Sequence, residues 1–274
     1  MIKRKAPIVS VVMPVYNAEK YVAEAIESIL NQTLEDFEFI IVDDGSTDKS
    51  LEIIKEYAKK DKRIKTIKNK GNIGNWASRN VGMNNARGKY IVTQDSDDLS
   101  NRDRIKIQVS VMEKNPNFGV VGSNIGIIDG KGNKIGYRKY LEDDIKLRKM
   151  IYYFSPFANP AVIIRRDALK KSGIFDPKLR VSGDLDLWFR IGGQYEFGNV
   201  AKELVKYRNH EDQITSKKLK LMERTANKIR WKNWNNQNYH FGFKAFIYNF
   251  LHLVSIYTVP SKVKLWMFEK IRKQ

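Results

Sequence analysis

Cysteine is absent from this chain of 274 residues, which excludes disulfides and thiolate metal sites and sits most easily with a reducing compartment. No stretch offers the roughly 20 predominantly apolar residues that a membrane-spanning helix needs. The most apolar part, 241–259, contains Lys244, Asn249 and His252. The basic start, Met1-Ile2-Lys3-Arg4-Lys5, leads directly into a strand-like segment without a separate apolar run and cleavage site, so no secretory signal is expected. There is no internal repeat and no low-complexity tract. Acidic residues are nearly missing from the last part of the chain. From Lys217 to Gln274 there are 13 Lys or Arg against two acids, Glu223 and Glu269, so this segment carries +11 of the net +19.

What is present is alternation. Apolar strands are expected at Ile8–Met13, Phe37–Val42, Ile64–Ile67 and Tyr90–Thr93, with helices at Ala18–Asn31, from about Asp48 to Lys60, and through Trp76 to Asn85. This order implies a mainly parallel sheet whose carboxyl edge binds ligands. A helix follows from about Asn101 to Lys114, then a strand, Gly119–Ile128. Asp129-Gly130-Lys131-Gly132-Asn133 reads as a hairpin turn, hence an antiparallel addition. A helix is expected near Glu142–Ile151, further strands near Ala161–Ile164, Phe197 and Leu204, and a helix begins near Gly183. Beyond Thr215 only helices are expected.

Three polar loops leave three of these strands: Pro14-Val15-Tyr16-Asn17, Asp43-Asp44-Gly45-Ser46-Thr47 and Asp95-Ser96-Asp97-Asp98. Each alone reads as a turn or helix cap. Together, on one sheet edge, they suit a nucleotide, with a divalent cation held against its diphosphate by Asp97 and Asp98 or by Asp95 and Asp97. Asp44, in a strand-end loop, is expected to lie outside the core.

In the order and spacing of these motifs, from about Ile8 to Ser216, the chain resembles the family-2 glycosyltransferases, inverting nucleotide-sugar transferases. The resemblance implies an α/β GT-A fold, with a mostly parallel central sheet flanked by helices, over 1–216. A helical, basic and aromatic C-terminal appendage over 217–274 would follow. It places Pro14, Tyr16 and Asp44, with Asp43 second, on the base and ribose of the nucleotide. Asn72 belongs to the Asn-x-Gly segment that leads to Ser78-Arg79-Asn80, where Ser78 replaces the family's Ala. Arg79 then either meets a phosphate or is a solvated helix arginine. Asp95 and Asp97 would handle ribose and sugar, and Asp98 stands first as ligand of Mn2+ or Mg2+. His210 either joins the metal site or is a solvated loop residue. The resemblance implies Asp184 as catalytic base, preceded by Gly183 where the family usually has Glu; Asp186 is read as a helix cap. Asn227-Lys228-Ile229-Arg230-Trp231 is a near miss to the Gln-x-x-Arg-Trp motif of processive synthases, so Arg230 and Trp231 are assigned to a basic aromatic face and a single-addition enzyme is favoured.

The implied activity is hexosyl or N-acetylhexosaminyl transfer from a nucleotide sugar, a UDP-sugar foremost, to a glycan or lipid-linked acceptor in bacterial surface polysaccharide synthesis. A sugar-nucleotide pyrophosphorylase would need an early Gly-rich loop, and Ser10–Asn17 contains no glycine. The acidic loops oppose a nucleic-acid groove on the sheet edge but leave the basic tail undecided, so a nucleic-acid-binding module using that tail is the alternative, although no nucleic acid is expected. Aromatics between Ile135 and Arg180, such as Tyr152, Tyr153, Phe154 and Phe157, are the only visible hints of an acceptor pocket. In the tail, Phe243, Phe246, Ile247, Phe250, Leu251 and Val254 recur at spacings of three and four. With Lys262, Lys264, Trp266, Lys270, Arg272 and Lys273 nearby, this stripe is expected on an anionic membrane surface, peripheral on the cytoplasmic face of the inner membrane. Packing on the domain or an oligomer contact would serve the stripe equally.

Overall fold

A computed structural model describes residues 6–210, 218–260 and 263–264. Strands β1 (Val9–Val15) and β2 (Phe37–Asp43) are buried at every position, as strands covered on both faces must be. Helix α1 (Val22–Leu30) buries Val22, Ala25, Ile26 and Ile29, a stripe at helical spacing. It starts later than expected because residues 18–21 form a turn. The chain continues through α2 (Ser50–Lys60), β3 (Ile64–Lys68), α3 (Asn75–Asn84) and β4 (Tyr90–Thr93). Strands β3, β2, β1 and β4 lie side by side in that order, all parallel.

Beyond β4 the sheet becomes mixed. A two-residue strand, β5 (Leu99–Ser100), precedes α4 (Arg104–Lys114), β6 (Phe118–Ile128), β7 (Lys134–Arg138), α5 (Asp144–Met150), β8 (Ile163–Arg165), α6 (Arg166–Ser172), α7 (Gly183–Ile191) and β9 (Glu196–Arg208). Strand β8 runs antiparallel between β4 and β6, and β9 runs parallel to β6 and antiparallel to β5. The turn at 129–133 makes the expected hairpin of β6 with β7. The two strands expected near Phe197 and Leu204 are one. The β6–β9 ladder passes from Ser123↔Val200 to Asn124↔Glu203, leaving Ala201 and Lys202 as a bulge that divides the pattern.

Alternate residues of β1 face opposite sides of the sheet. Val9, Val11, Met13 and Val15 pack with α1 and α4, whereas Val12 joins Trp76, Met83, Val120, Leu187 and Trp188.

Helices α8 (Leu219–Lys232) and α9 (Phe243–Thr258) follow. Ile229, Tyr239 and Ala245 enter the same buried cluster as Tyr152, Trp188 and Phe189. The Tyr152 hydroxyl donates to the Asn233 carbonyl at 2.7 Å, and that of Tyr239 to the Trp188 carbonyl at 3.0 Å. Arg230, expected on a basic aromatic face, is instead buried. Its Nε donates to the Ile151 carbonyl at 3.2 Å, and burial pushes its pKa down to about 10. Tyr152 and Phe157 are core side chains rather than pocket lining, and Phe154 is exposed. The expected boundary near residue 216 lies outside the described residues, as do Lys262, Trp266, Lys270, Arg272 and Lys273. Among the described residues no helix is long and apolar enough to cross a membrane.

Candidate active site

The carboxyl ends of β1, β2 and β4 share one edge because the strands are parallel and in register, with Val15 beside Asp43 and Val12 beside Thr93. Pro14 is buried inside β1. The β4 ladder stops at Val12, so the missing N–H of Pro14 falls where no ladder bond is required. Tyr16 emerges just beyond, exposed. Asn17 adopts the left-handed conformation at φ 48°. Its side-chain oxygen accepts from Thr47 N at 2.8 Å, and its own N–H donates to Ser46 Oγ at 3.1 Å, which ties the first loop to the second.

The two aspartates at the end of β2 are used differently. Asp44 is buried, contrary to the expectation of a residue outside the core. Its carboxylate accepts from Asn69 Nδ2, Ile73 N and Gly74 N, each at 2.9 Å, and so fastens the loop that carries Asn72. Asn72 itself is exposed at the surface of that loop. Gly45, at φ 73°, permits the approach: a Cβ there would lie 2.8 Å from the Gly71 backbone. Asp43 is fully buried. Its Oδ1 accepts from Ser46 N at 3.3 Å, and its Oδ2 has no hydrogen-bond partner among the described residues.

The Asp-x-Asp-Asp loop after β4 is gripped from several sides. Gln94 Nε2 donates to the Asp98 carbonyl at 2.7 Å. Asp95 is ion-paired with Arg79, whose side chain is completely buried, so Arg79 is not the solvated helix arginine that sequence allowed. His210 Nε2 lies 2.9 Å from Asp97 Oδ2 and stacks at a tilt near Tyr21, and is thus no freely solvated loop residue. Asp98 Oδ1 accepts the backbone N–H of Arg208 at 2.8 Å, while Oδ2 is buried and unpartnered among the described residues. Burial, reinforced by the charges of Asp97 and Asp95, holds the Asp98 carboxyl well above the usual carboxylate range. Burial also raises Asp95, against the opposing pull of Arg79. Such crowding of like charge fits a cation.

Asp184 is the second residue of α7, whose flanking Ser182 sits in the left-handed region at φ 55°. Gly183 lies against the indole of Trp76; a Cβ would be 3.0 Å from its Nε1. The Trp76 ring, stacked on Phe175 at 4.7 Å, therefore limits the room for a side chain at this position. Burial pushes the Asp184 carboxyl up to about 6, with the Asp95 charge adding to the rise and Arg79 opposing it. Asp186 accepts from Arg190 Nε at 2.8 Å within the same helix.

Asp95, Asp97, Asp98, Asp184 and His210 are thus within reach of one another's charge or hydrogen bonds, coming from the loop after β4, from α7 and from the end of β9, while Asp43 stands at the end of β2 on the same sheet edge. Asn17, Trp76 and Arg208 carry no sequence signal for their parts in this arrangement. Arg208 is almost fully buried: its Nε donates to the Asp97 carbonyl at 2.9 Å, and its Nη2 pairs with Glu24 at 2.7 Å.

A family model described as Glycosyl transferase family 2 matches residues 10–173. An uncharacterized glycosyltransferase of Methanocaldococcus jannaschii is 40% identical over 266 residues, 93% of this chain and 90% of that protein. EpsE of Bacillus subtilis, a protein named as a glycosyltransferase, is 37% identical over 210 residues, 75% and 74% of the two chains. Among solved structures, S. aureus TarS 1-349 in complex with UDP-GlcNAc superposes with a TM-score of 0.64 at 20% identity, over 97% and 88% of the chains. A mannosyltransferase from Pyrobaculum calidifontis, in complex with GDP-Man and Mn2+, gives 0.63 at 16% identity, over 98% and 81%. These likenesses show the GT-A fold.

Proposed function

Since the chain belongs to glycosyl transferase family 2 and is a glycosyltransferase, we propose that it transfers a sugar from a nucleotide-sugar donor, a UDP-sugar foremost, to an acceptor hydroxyl with inversion. One observation carries the reading. The Asp184 carboxyl, pushed up to about 6 by burial, lies within electrostatic reach of Asp95 at the sheet edge, as suits a base for an acceptor hydroxyl.

The exposed ring of Tyr16 stacks on the nucleobase, and the unpartnered Oδ2 of Asp43 accepts a base N–H. Asp44, already saturated by the 69–74 loop, shapes the pocket wall and positions Asn72. Arg79 serves as counter-ion to Asp95, which faces the ribose and sugar.

The carboxylates of Asp97 and Asp98 fit a hard cation, given the unpartnered, buried Asp98 oxygen, with His210 held against Asp97. Among the described residues no group of three or more His, Cys, Asp or Glu is placed to hold a metal ion by itself. That suits Mg2+ or Mn2+ taking one or two protein carboxylates, with phosphate and water filling the remainder. The ion would neutralise charge on the leaving diphosphate. Asp184 removes the acceptor proton, the freed oxygen attacks the anomeric carbon from the side opposite the diphosphate, and the product takes the opposite anomeric configuration.

The acceptor is read as a glycan or lipid-linked sugar of surface polysaccharide synthesis, with single additions. A hydrolysis screen of nucleotide sugars, with and without manganese or magnesium, tests the reading. One donor should release its nucleoside diphosphate in a metal-dependent way, and NMR of the first transfer product should show inversion. Binding of no nucleotide sugar, or retention, would overturn it.

A further inference from the structure

Helix α9 is apolar on two sides. Ala245, Asn249 and Ile256 face inward, where the Asn249 side chain donates to the Tyr152 carbonyl at 3.0 Å. The opposite side presents Phe243 (77% exposed), Ile247, Phe250 (52%), Leu251 (59%), Val254 and Tyr257 to solvent. Packing on the domain thus consumes only the inner side, and the outer stripe is left over. Scattered exposed apolar residues need no explanation, but a continuous stripe does.

A row of cations borders it. Lys220, Arg224 and Lys228, exposed at spacings of four, share one face of α8. Lys220 Nζ lies 5.6 Å and the Arg224 guanidinium 5.2 Å from the Tyr257 ring centroid, which sets the start of this row against the end of the stripe. Lys244 is exposed on α9 itself. From Arg224 to Phe268 the sequence has no carboxylate at all. Glu223 is engaged by Lys264 at 2.9 Å, and this removes Lys264 from the basic surface to which its sequence position assigned it.

We propose that α9 lies flat in the interface of an anionic lipid bilayer, with its outer apolar stripe among the acyl chains and the Lys220–Arg224–Lys228 row on the headgroups. At 16 residues the helix is about 24 Å long, well matched to lying in the interface plane. Burial of the stripe and attraction of the cations then act together. A second copy of this basic surface would be repelled, which favours lipid as the occupant.

Co-sedimentation of the full chain with vesicles of equal parts phosphatidylglycerol and phosphatidylcholine tests the proposal against vesicles of phosphatidylcholine alone. Binding should favour the anionic vesicles and weaken with salt. Phe250→Ser/Leu251→Ser and Arg224→Glu/Lys228→Glu should each lower it about tenfold or more, with unchanged circular dichroism and unchanged donor hydrolysis. Wild-type affinity in both double variants would overturn the proposal. So would indifference of the full chain to anionic vesicles, or a dimer in sedimentation velocity that Phe250→Ser/Leu251→Ser dissolves. The vesicle readout is independent of sugar transfer, so failure here leaves the enzymatic reading standing, and the reverse.

Discussion

The backbone N–H of Arg208 donates to Asp98 Oδ1 at 2.8 Å, and the same residue's Nε donates to the Asp97 carbonyl at 2.9 Å. A residue at the end of β9 therefore fixes an acidic loop 110 positions earlier in the chain. The Arg208 guanidinium also lies 4.6 Å from the Tyr21 ring centroid and pairs with Glu24. Both the loop that carries the acids and the helix beside it are anchored by one buried cation.

Arg208→Ala is expected to cost about 1–3 kcal/mol of stability, in the range for a buried hydrogen-bonded charge whose partner remains accessible. Affinity for Mn2+ should fall with it, about tenfold, because the Asp97–Asp98 geometry relaxes. Denaturant titration and paramagnetic resonance of free Mn2+ check the two effects. Loss of stability with full metal affinity would separate Arg208 from the loop.

Asp98→Asn should abolish metal-dependent donor binding while leaving the metal-free protein as stable as wild type or more so. The amide keeps the shape and removes a buried charge that is crowded by Asp95 and Asp97. Tm and nucleoside diphosphate titration with Mn2+ measure both. Wild-type activity with saturable Mn2+ dependence would remove Asp98 from the site.

For Asp184→Asn, donor affinity should hold while transfer falls by ~10²–10⁴-fold, the usual contribution of a general base. In the wild type the rate should decline about tenfold per pH unit below about 6, where the carboxyl takes up its proton. The sign for stability is the reverse. A carboxyl raised on folding opposes the folded state once ionised, so Asp184→Asn should show a higher Tm at neutral pH. A flat pH profile through 6, or a large rise in the donor dissociation constant with turnover preserved, would exclude the base role.

Asp43→Ala and Asp44→Ala should behave differently. Replacing Asp44 strips Asn69, Ile73 and Gly74 of their acceptor and should cost about 1–3 kcal/mol. Replacing Asp43, whose Oδ2 has no hydrogen-bond partner among the described residues, should weaken nucleoside diphosphate binding about tenfold with a smaller stability loss. Calorimetric titration and thermal unfolding of both variants decide it; equal effects would mean that the two aspartates act as one unit.

Local patterns made much of this molecule legible in advance. The buried stripe of α1 and the fully apolar β1 and β2 follow from short-range periodicity, and the Asp-rich loops follow where those strands end. The hairpin of β6 with β7 follows from its glycine turn. The two-residue β5 was invisible because two residues are too few for a period to emerge, and α6 because it follows β8 directly with no loop between them, whereas α5, equally short, was legible. Arg230 misled for another reason: composition counts charges, but a carbonyl at Ile151 can draw one inward.

The sequence by itself determined which residue types would stand at the sheet edge, since an acid directly after an apolar strand must leave the core or find a partner there. Only the tertiary structure decided which of these acids keeps an unpartnered oxygen. Asp44 is satisfied by a loop that starts 25 residues on, and Asp95 is met by Arg79, whereas Asp43 Oδ2 has no partner among the described residues, and Asp98, met by the backbone of Arg208 at Oδ1, keeps Oδ2 without one. Hydrogen-bond partners and burial depend on contacts between segments far apart in the chain, and those same contacts set the protonation of Asp184 and Asp98. Periodicity reaches only a few residues along a chain, so it can place a carboxylate at an edge but cannot say what lies across from it.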